Sequence, residues 1–122
     1  MNRQTFITYF LTRFPEYKGA YKQHLEDYDD LLLHVFLGDT INERLQELFD
    51  ADKDEMGELQ QIFTLLEKMS VEGDLDIQEV LSVTILARLG DDKDHLKKSY
   101  RLMGDNTKIA SDEIERYWGR IK

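Results

Sequence analysis

The run Asp76–Leu89, Asp-Ile-Gln-Glu-Val-Leu-Ser-Val-Thr-Ile-Leu-Ala-Arg-Leu, constrains this chain more than any other stretch. It is the least polar segment of a protein in which 34% of residues are charged. Val80, Leu81, Val83, Ile85, Leu86 and Leu89 point in too many directions for a one-sided helix, and a helix that is apolar nearly all round is a buried helix. Burial requires other helices to wrap it. The expected fold is therefore all-α: a single helical domain over residues 1–122, built as a compact bundle of six or seven helices around the helix at 76–89. Asp76 and Glu79 are expected to cap that helix and Gly90 to close it.

The flanking segments supply the wrapping helices. Phe6, Phe10 and Phe14 stand at i, i+4 and i+8, a stripe on one face of a helix over 3–14. Pro15 disfavours helix at Phe14 and suits the first position of a second helix over 15–27. That helix carries Tyr17, Tyr21, His24 and Tyr28. The tyrosines are either core, packed on the phenylalanine stripe, or an aromatic binding patch. Asp29 or Asp30 can cap a short helix over 31–37, with Gly38 ending it. Thr40 and Glu43 have the spacing of a capping box for a helix over 41–49, whose apolar face is Ile41, Leu45, Leu48 and Phe49. Asp52 and Glu55 repeat that spacing before a helix over 53–71, which Gly73 and Asp74 break. Asp91 or Asp92 opens a basic helix over 92–103, with Leu96, Tyr100 and Met103 inward and Lys93, Lys97, Lys98 and Arg101 outward. Gly104-Asp105-Asn106 reads as a turn, and a last helix over 108–121 offers Ile109 or Ala110, Ile114, Tyr117, Trp118 and Ile121. No stretch alternates convincingly with period two, so no strand is expected.

Charge is distributed unevenly. The formal net charge is −9, with 25 acids against 16 Lys and Arg. Residues 26–79 hold seventeen of the acids and three of the bases, whereas residues 80–122 hold nine bases and seven acids. An acidic middle argues against binding to nucleic-acid phosphates and favours a basic protein partner. No run of about 18 apolar residues could span a bilayer. The N-terminal stretch lacks a small-residue cleavage site and has helical spacing, so it reads as a first helix and not a signal peptide. The absence of cysteine excludes disulfides and thiolate metal sites and fits a reducing cytoplasm.

Asp50-x-Asp52-x-Asp54 resembles the opening of a calcium loop, but the sixth position is Glu55 where glycine is needed and the twelfth is Gln61 where glutamate is needed. A capping connector explains it better. Glu55 and Glu58, with Asp76 and Glu79, form two acidic pairs of the kind that hold Mg²⁺ in all-helical nucleotide pyrophosphohydrolases, which this chain resembles at these pairs. The second pair reads Asp-x-x-Glu where that family has Glu-x-x-Asp. An upstream glutamate of the first helix is also missing, replaced by Ala51 and Asp52. His24, His34 and His95 have no histidine or cysteine at ligand spacing, so no metal is expected. His34, inside an apolar run, reads as a hydrogen-bonded packing residue, and His24 could pair locally with Glu26 or Asp27. No phosphate loop, nucleophile elbow or catalytic residue emerges, and no cofactor is expected.

His34-Val-Phe-Leu-Gly-Asp39, Val80-Leu-Ser-Val-Thr-Ile-Leu-Ala-Arg-Leu89 and Leu102-Met-Gly-Asp105 together resemble a family of small bacterial helical proteins that are domains of unknown function. Some of these look like immunity components of toxin systems. The resemblance covers most of the chain and carries no catalytic residue across. It implies a non-enzymatic role in which a basic partner, such as a toxin nuclease, is neutralised. The partner-binding residues expected from charge concentration are Glu26, Asp27, Tyr28, Asp29 and Asp30, with Asp50, Asp52, Asp54, Glu55 and Glu58. The competing expectations are the Mg²⁺-dependent hydrolase and a small structural or oligomeric module. The oligomeric state is not legible in the sequence, nor is whether the acidic segments share one face.

Overall fold

The computed structural model of the protein describes residues 1–51 and 56–120. It is all-α, with seven helices and no strand among those residues: α1 (Arg3–Arg13), α2 (Lys18–Tyr28), α3 (33–50), α4 (Met56–Glu72), α5 (75–90), α6 (Lys93–Tyr100) and α7 (Asp105–Tyr117). The expected capping positions Asp52 and Glu55, and Ile121 of the last helix, lie outside the described residues. The buried apolar side chains form one cluster drawn from every helix except α2 and α6, which add partly buried Tyr21, Leu25 and Leu96 at its edge. No helix among the described residues is long and apolar enough to cross a membrane.

The N-terminal aromatic stripe is core. Asn2 and Thr5 form a reciprocal capping box that starts α1, and Phe6, Phe10 and Phe14 are all buried. A 3₁₀ turn, Pro15–Tyr17, then reverses the chain before α2 begins at Lys18. Phe10 stacks on Tyr17 with ring centroids 5.6 Å apart, and Tyr21 meets Phe36 edge-on at 5.8 Å. Burial, with Glu58 and Glu16 nearby, pushes the Tyr17 phenol up to about 12. The third tyrosine, Tyr28, stays 48% exposed. Tyr17 and Tyr21 thus pack at the edge of the core, while Tyr28 lies at the surface.

The central helix is α5, but it is not apolar all round. Ile77, Val80, Leu81, Thr84, Ile85, Leu86 and Leu89 are buried, while Val83 is 48% exposed and Arg88 faces solvent. The reason is a wide segment: Val80–Leu86 winds as π-helix. An i→i+5 turn takes up one more residue than an α turn. The stripe 77, 80, 81, 84, 85 would continue at 88 in an α-helix; after the wide turn it continues at 89, and Arg88 is turned outward.

The same slip corrects the expectation around Gly38. That glycine does not end a helix, and Thr40 and Glu43 do not start one. Leu33–Leu37, the π segment Gly38–Asn42 and Glu43–Asp50 are one continuous helix. Its buried stripe passes from 33, 36, 37, 40 and 41 to 45, 48 and 49, one residue late. Thr40 Oγ1 donates back to Phe36 O at 2.8 Å, inside the helix, instead of capping. The two π segments meet each other. Asn42 Nδ2 reaches Ile85 O at 3.3 Å, and a side chain on Gly38 would lie 2.8 Å from Nη1 of Arg88. Gly38 therefore lies against the Arg88 guanidinium of α5 and does not mark a helix end.

Three other boundaries move for tertiary or capping reasons. Neither Asp29 nor Asp30 caps α3. Asp29 adopts a left-handed conformation, φ 60°, and ends α2, its N–H bonding Leu25 O at 2.9 Å. Asp74, not Asp76, caps α5, its carboxylate accepting the Ile77 N–H at 3.1 Å. Helix α7 begins at Asp105 inside the expected turn, because Glu67 of α4 caps it from outside. Its carboxylate accepts from the backbone N–H groups of Asn106 and Thr107 at 3.3 and 2.9 Å, and from both side chains. Burial opposes the Glu67 charge, but those donors hold its carboxyl below the ordinary value. In α7, Thr107, Ser111, Ile114 and Glu115 form the buried face. Ile109, Tyr117 and Trp118, expected inward, are 57%, 78% and 56% exposed.

Candidate functional site

The N-terminal ends of α1, α3 and α5 and the C-terminal end of α2 come together at one end of the bundle. They enclose a recess of about 310 Å³ lined by Arg3, Asp30, Leu31–His34, Asp76, Glu79 and Val80. Each side chain is held there for a local reason. The left-handed turn at Asp29 reverses the chain out of α2, and Asp30 accepts from the Leu31 N–H at 2.8 Å. Arg3, on the first turn of α1, donates to Leu31 O and approaches Asp30 at 3.8 Å. Buried His24 of α2 accepts the Leu32 N–H at 2.9 Å through Nε2, so it braces this turn and does not pair with Glu26 or Asp27. Its ring lies 4.8 Å from Tyr28 and 5.5 Å from Phe36. His34 is exposed but bonds Thr84 of α5 through Nδ1 at 2.5 Å, which ties the start of α3 to the central helix.

Three carboxylates, Asp30, Asp76 and Glu79, thus line one recess from two distant parts of the chain, with Arg3 opposed to them. Glu26, Asp27 and Asp29 extend the acidic surface along the exposed end of α2. Tyr28, Leu32 and Leu75, 48%, 40% and 84% exposed, are apolar residues in the same segments. Acids with exposed aromatic and aliphatic side chains make a surface that can take a guanidinium or ammonium group and cover the carbon chain behind it.

The remaining expected acids are elsewhere. Asp50 ends α3, and α3 is about 25 Å long at 1.5 Å per residue, so Asp50 and Asp30 sit at opposite ends of it. Asp50 Oδ1 lies 2.8 Å from His95 Nε2. Glu58 is engaged by Arg44, which donates to both its oxygens at 2.6 and 2.7 Å. Those hydrogen bonds hold the Glu58 carboxyl below its ordinary value. Asp52, Asp54 and Glu55 lie outside the described residues. The described acids of these segments therefore do not form one face: Glu26–Asp30 joins Asp76 and Glu79, while Asp50 and Glu58 belong to the other end of α3 and the start of α4.

The Mg²⁺ constellation is not assembled by the described residues. Glu58 stands at the first turn of α4, whereas Asp76 follows its far end, about 20 Å away along the helix. No group of three or more histidine or carboxylate side chains suited to a metal ion occurs among the described residues. Asp76 and Glu79 were legible as acids, yet their meeting with Asp30 was not. It depends on α5 packing against the first half of α3, and no local pattern encodes that.

No curated protein and no solved structure matches the chain. A sequence model of one family does, over residues 7–119, which takes in every helix from the middle of α1 to the end of α7. The chain belongs to that family, a domain of unknown function designated DUF7674.

Proposed function

We propose that the protein is a non-enzymatic binding domain whose acidic end receives a basic segment of a partner protein, in the manner of an immunity protein neutralising a basic toxin. The observation that carries this is the convergence of Asp30, Asp76 and Glu79 on one recess that exposed Leu32 also lines, with exposed Tyr28 and Leu75 in the adjoining stretches of chain. A lysine or arginine side chain in the recess would meet carboxylates from the turn after α2 and from the start of α5, and the apolar residues would cover its stem. Electrostatic attraction would speed association and make it salt-sensitive. A cysteine-free chain of net charge −9 suits such a role in the reducing cytoplasm.

An arginine-rich peptide titrated into isotopically labelled protein tests the reading. Amide shifts should concentrate in 26–34 and 75–80 and fade as salt rises. The triple variant Asp30→Asn, Asp76→Asn, Glu79→Asn should lose them while melting at nearly the same temperature. Shifts centred on 44–58 would move the site to the other acidic segment, and no saturable binding would remove the proposal.

A further inference from the structure

A second concave surface lies at the opposite end of α5, between α6 and α7. It is an open groove of about 440 Å³. Lys93, Leu96, Lys97, Tyr100 and Arg101 lie at i, i+3, i+4, i+7 and i+8, so they share one face of α6. Leu96 and Tyr100 give that face an apolar centre, and the three cations flank it. The phenol of Tyr100 donates to Asp112 at 3.2 Å and the Lys108 ammonium stands 5.3 Å from its ring, which fixes the ring between α6 and α7.

The opposite wall is rigid. Glu115 is only 3% exposed, and Arg120 donates to it through Nε and Nη2 at 3.0 and 2.6 Å. Arg120 also holds Asp91 at 2.6 Å and Ala87 O at 3.0 Å. Gly90 completes the wall, because any side chain there would collide with the Glu115 carboxylate. The one buried acid of the groove is thereby already neutralised.

The cations lining the groove are not. The side chains of Lys93, Lys97 and Arg101 make no hydrogen bond or ion pair with the described residues, whereas Arg3, Arg44, Lys68 and Arg120 each have an acidic partner. What sets these three apart is that they stand together on one helical face beside an apolar centre. They repeat at steps of about 6 Å, four residues of helical rise. Carboxylates at i, i+4 and i+8 of another helix repeat at the same interval. An apolar centre between the cations calls for an apolar stripe beside those carboxylates. A long polyanion such as nucleic acid would fit the cations but leave the apolar centre uncovered, and the net charge of the chain would repel it.

We propose that this groove is a docking site for an acidic amphipathic helix of a partner protein. Its apolar side chains lie on Leu96 and Tyr100, and its carboxylates reach Lys93, Lys97 and Arg101. This site is independent of the acidic end and of what that end binds.

The test is an anisotropy titration of the full chain with a fluorescein-labelled helical peptide of alternating leucine and glutamate positions at helical spacing. Saturable binding is expected, weakening with salt. It should fall about tenfold or more in Lys97→Glu/Arg101→Glu, and less in Lys93→Glu at the other end of the ladder. All three side chains are exposed, so melting temperatures should hold; Lys93→Glu serves if the double variant does not fold. A peptide with glutamine in place of glutamate should not bind. Equal binding of the glutamine peptide, indifference to both sets of variants, or no binding at all would overturn the proposal. Loss of oligothymidine binding in the double variant, with no peptide binding by the native chain, would overturn it in favour of a nucleic-acid site.

Discussion

The two ends of α5 are built from opposite chemistry. At its start, Asp74, Asp76 and Glu79 are exposed and solvated, and only Asp74 is committed, as the cap. At its end, Arg88 closes the last turn, Arg120 anchors on Ala87 O, and the α6 cations follow. Acids at a helix N-terminus and cations at its C-terminus both match the helix macrodipole. The difference lies in burial. The acidic end has no fully buried ion pair, whereas the cationic end rests on Glu115, an almost wholly buried carboxylate bridged by Arg120. One end is a surface whose charges can change with little effect on folding; the other is a surface fixed to a structural pair. Between them runs the π segment, where the helix is most deeply packed.

Substitutions along α5 and its neighbours should reproduce that gradient. The largest effect belongs to the middle. Leu86→Asp, at 0% exposure, should cost about 3–5 kcal/mol and abolish cooperative melting by circular dichroism. Val83→Asp, three residues earlier on the exposed side, should stay within about 1 kcal/mol. Equal losses at the two positions would show that the register slip through the π segment is misplaced.

Next comes the anchored end. Glu115→Gln removes the charge under Arg120 and should cost about 2–3 kcal/mol in urea denaturation. Asp76→Asn at the solvated end should change stability by about 0.5 kcal/mol or less. If the order reversed, the contrast between the ends would not hold.

Glu67→Gln sharpens the comparison further, because Glu67 sets where α7 begins and hence where the wall of the cationic groove stands. Loss of this cap should cost about 1–2 kcal/mol at neutral pH. The Glu67 carboxyl is held below its ordinary value of 4.5 in the folded protein. Its stabilisation is therefore fully present above that value and disappears as pH falls through the lower folded one. The gap between native and variant stability should be constant at neutral pH and close in acid. A gap that stayed open at acid pH would mean that the charge of Glu67 contributes nothing. A smaller effect than loss of the Glu67 cap is expected from Asp76→Lys or Glu79→Lys, about 0.3–1 kcal/mol each through the macrodipole, read as a salt-dependent shift in melting temperature.

Helix positions were largely legible because they follow from local periodicity. The phenylalanine stripe of α1, the Ile41–Phe49 face, Asp92 as a cap and the polar outer face of α6 all appear where spacing places them. Phase was the source of error. A one-residue jump in the hydrophobic period at Gly38–Asn42 looks like a boundary between two helices, and at Val80–Leu86 like a helix apolar all round. The chain absorbs both jumps in wide turns, which cost hydrogen-bond regularity but keep the stripes facing the core. The site was half legible. Glu26–Asp30 is acidic in any reading, but Asp76 and Glu79 were assigned to capping, a role that Asp74 fills. The Glu67 cap on α7 joins residues about forty apart in sequence and leaves no local trace.

By itself the sequence determined that this is an all-helical chain with an acidic middle, a more basic C-terminal third and one helix at its centre. Those features follow from residue type and spacing along a single helix, which elementary rules describe. Only the tertiary structure decided which acids stand together, which cations stay unpaired and which tyrosine is exposed. Each of those depends on how α5 crosses α3 and α7, and that crossing is set by side-chain packing between segments far apart in the chain, where no local rule reaches.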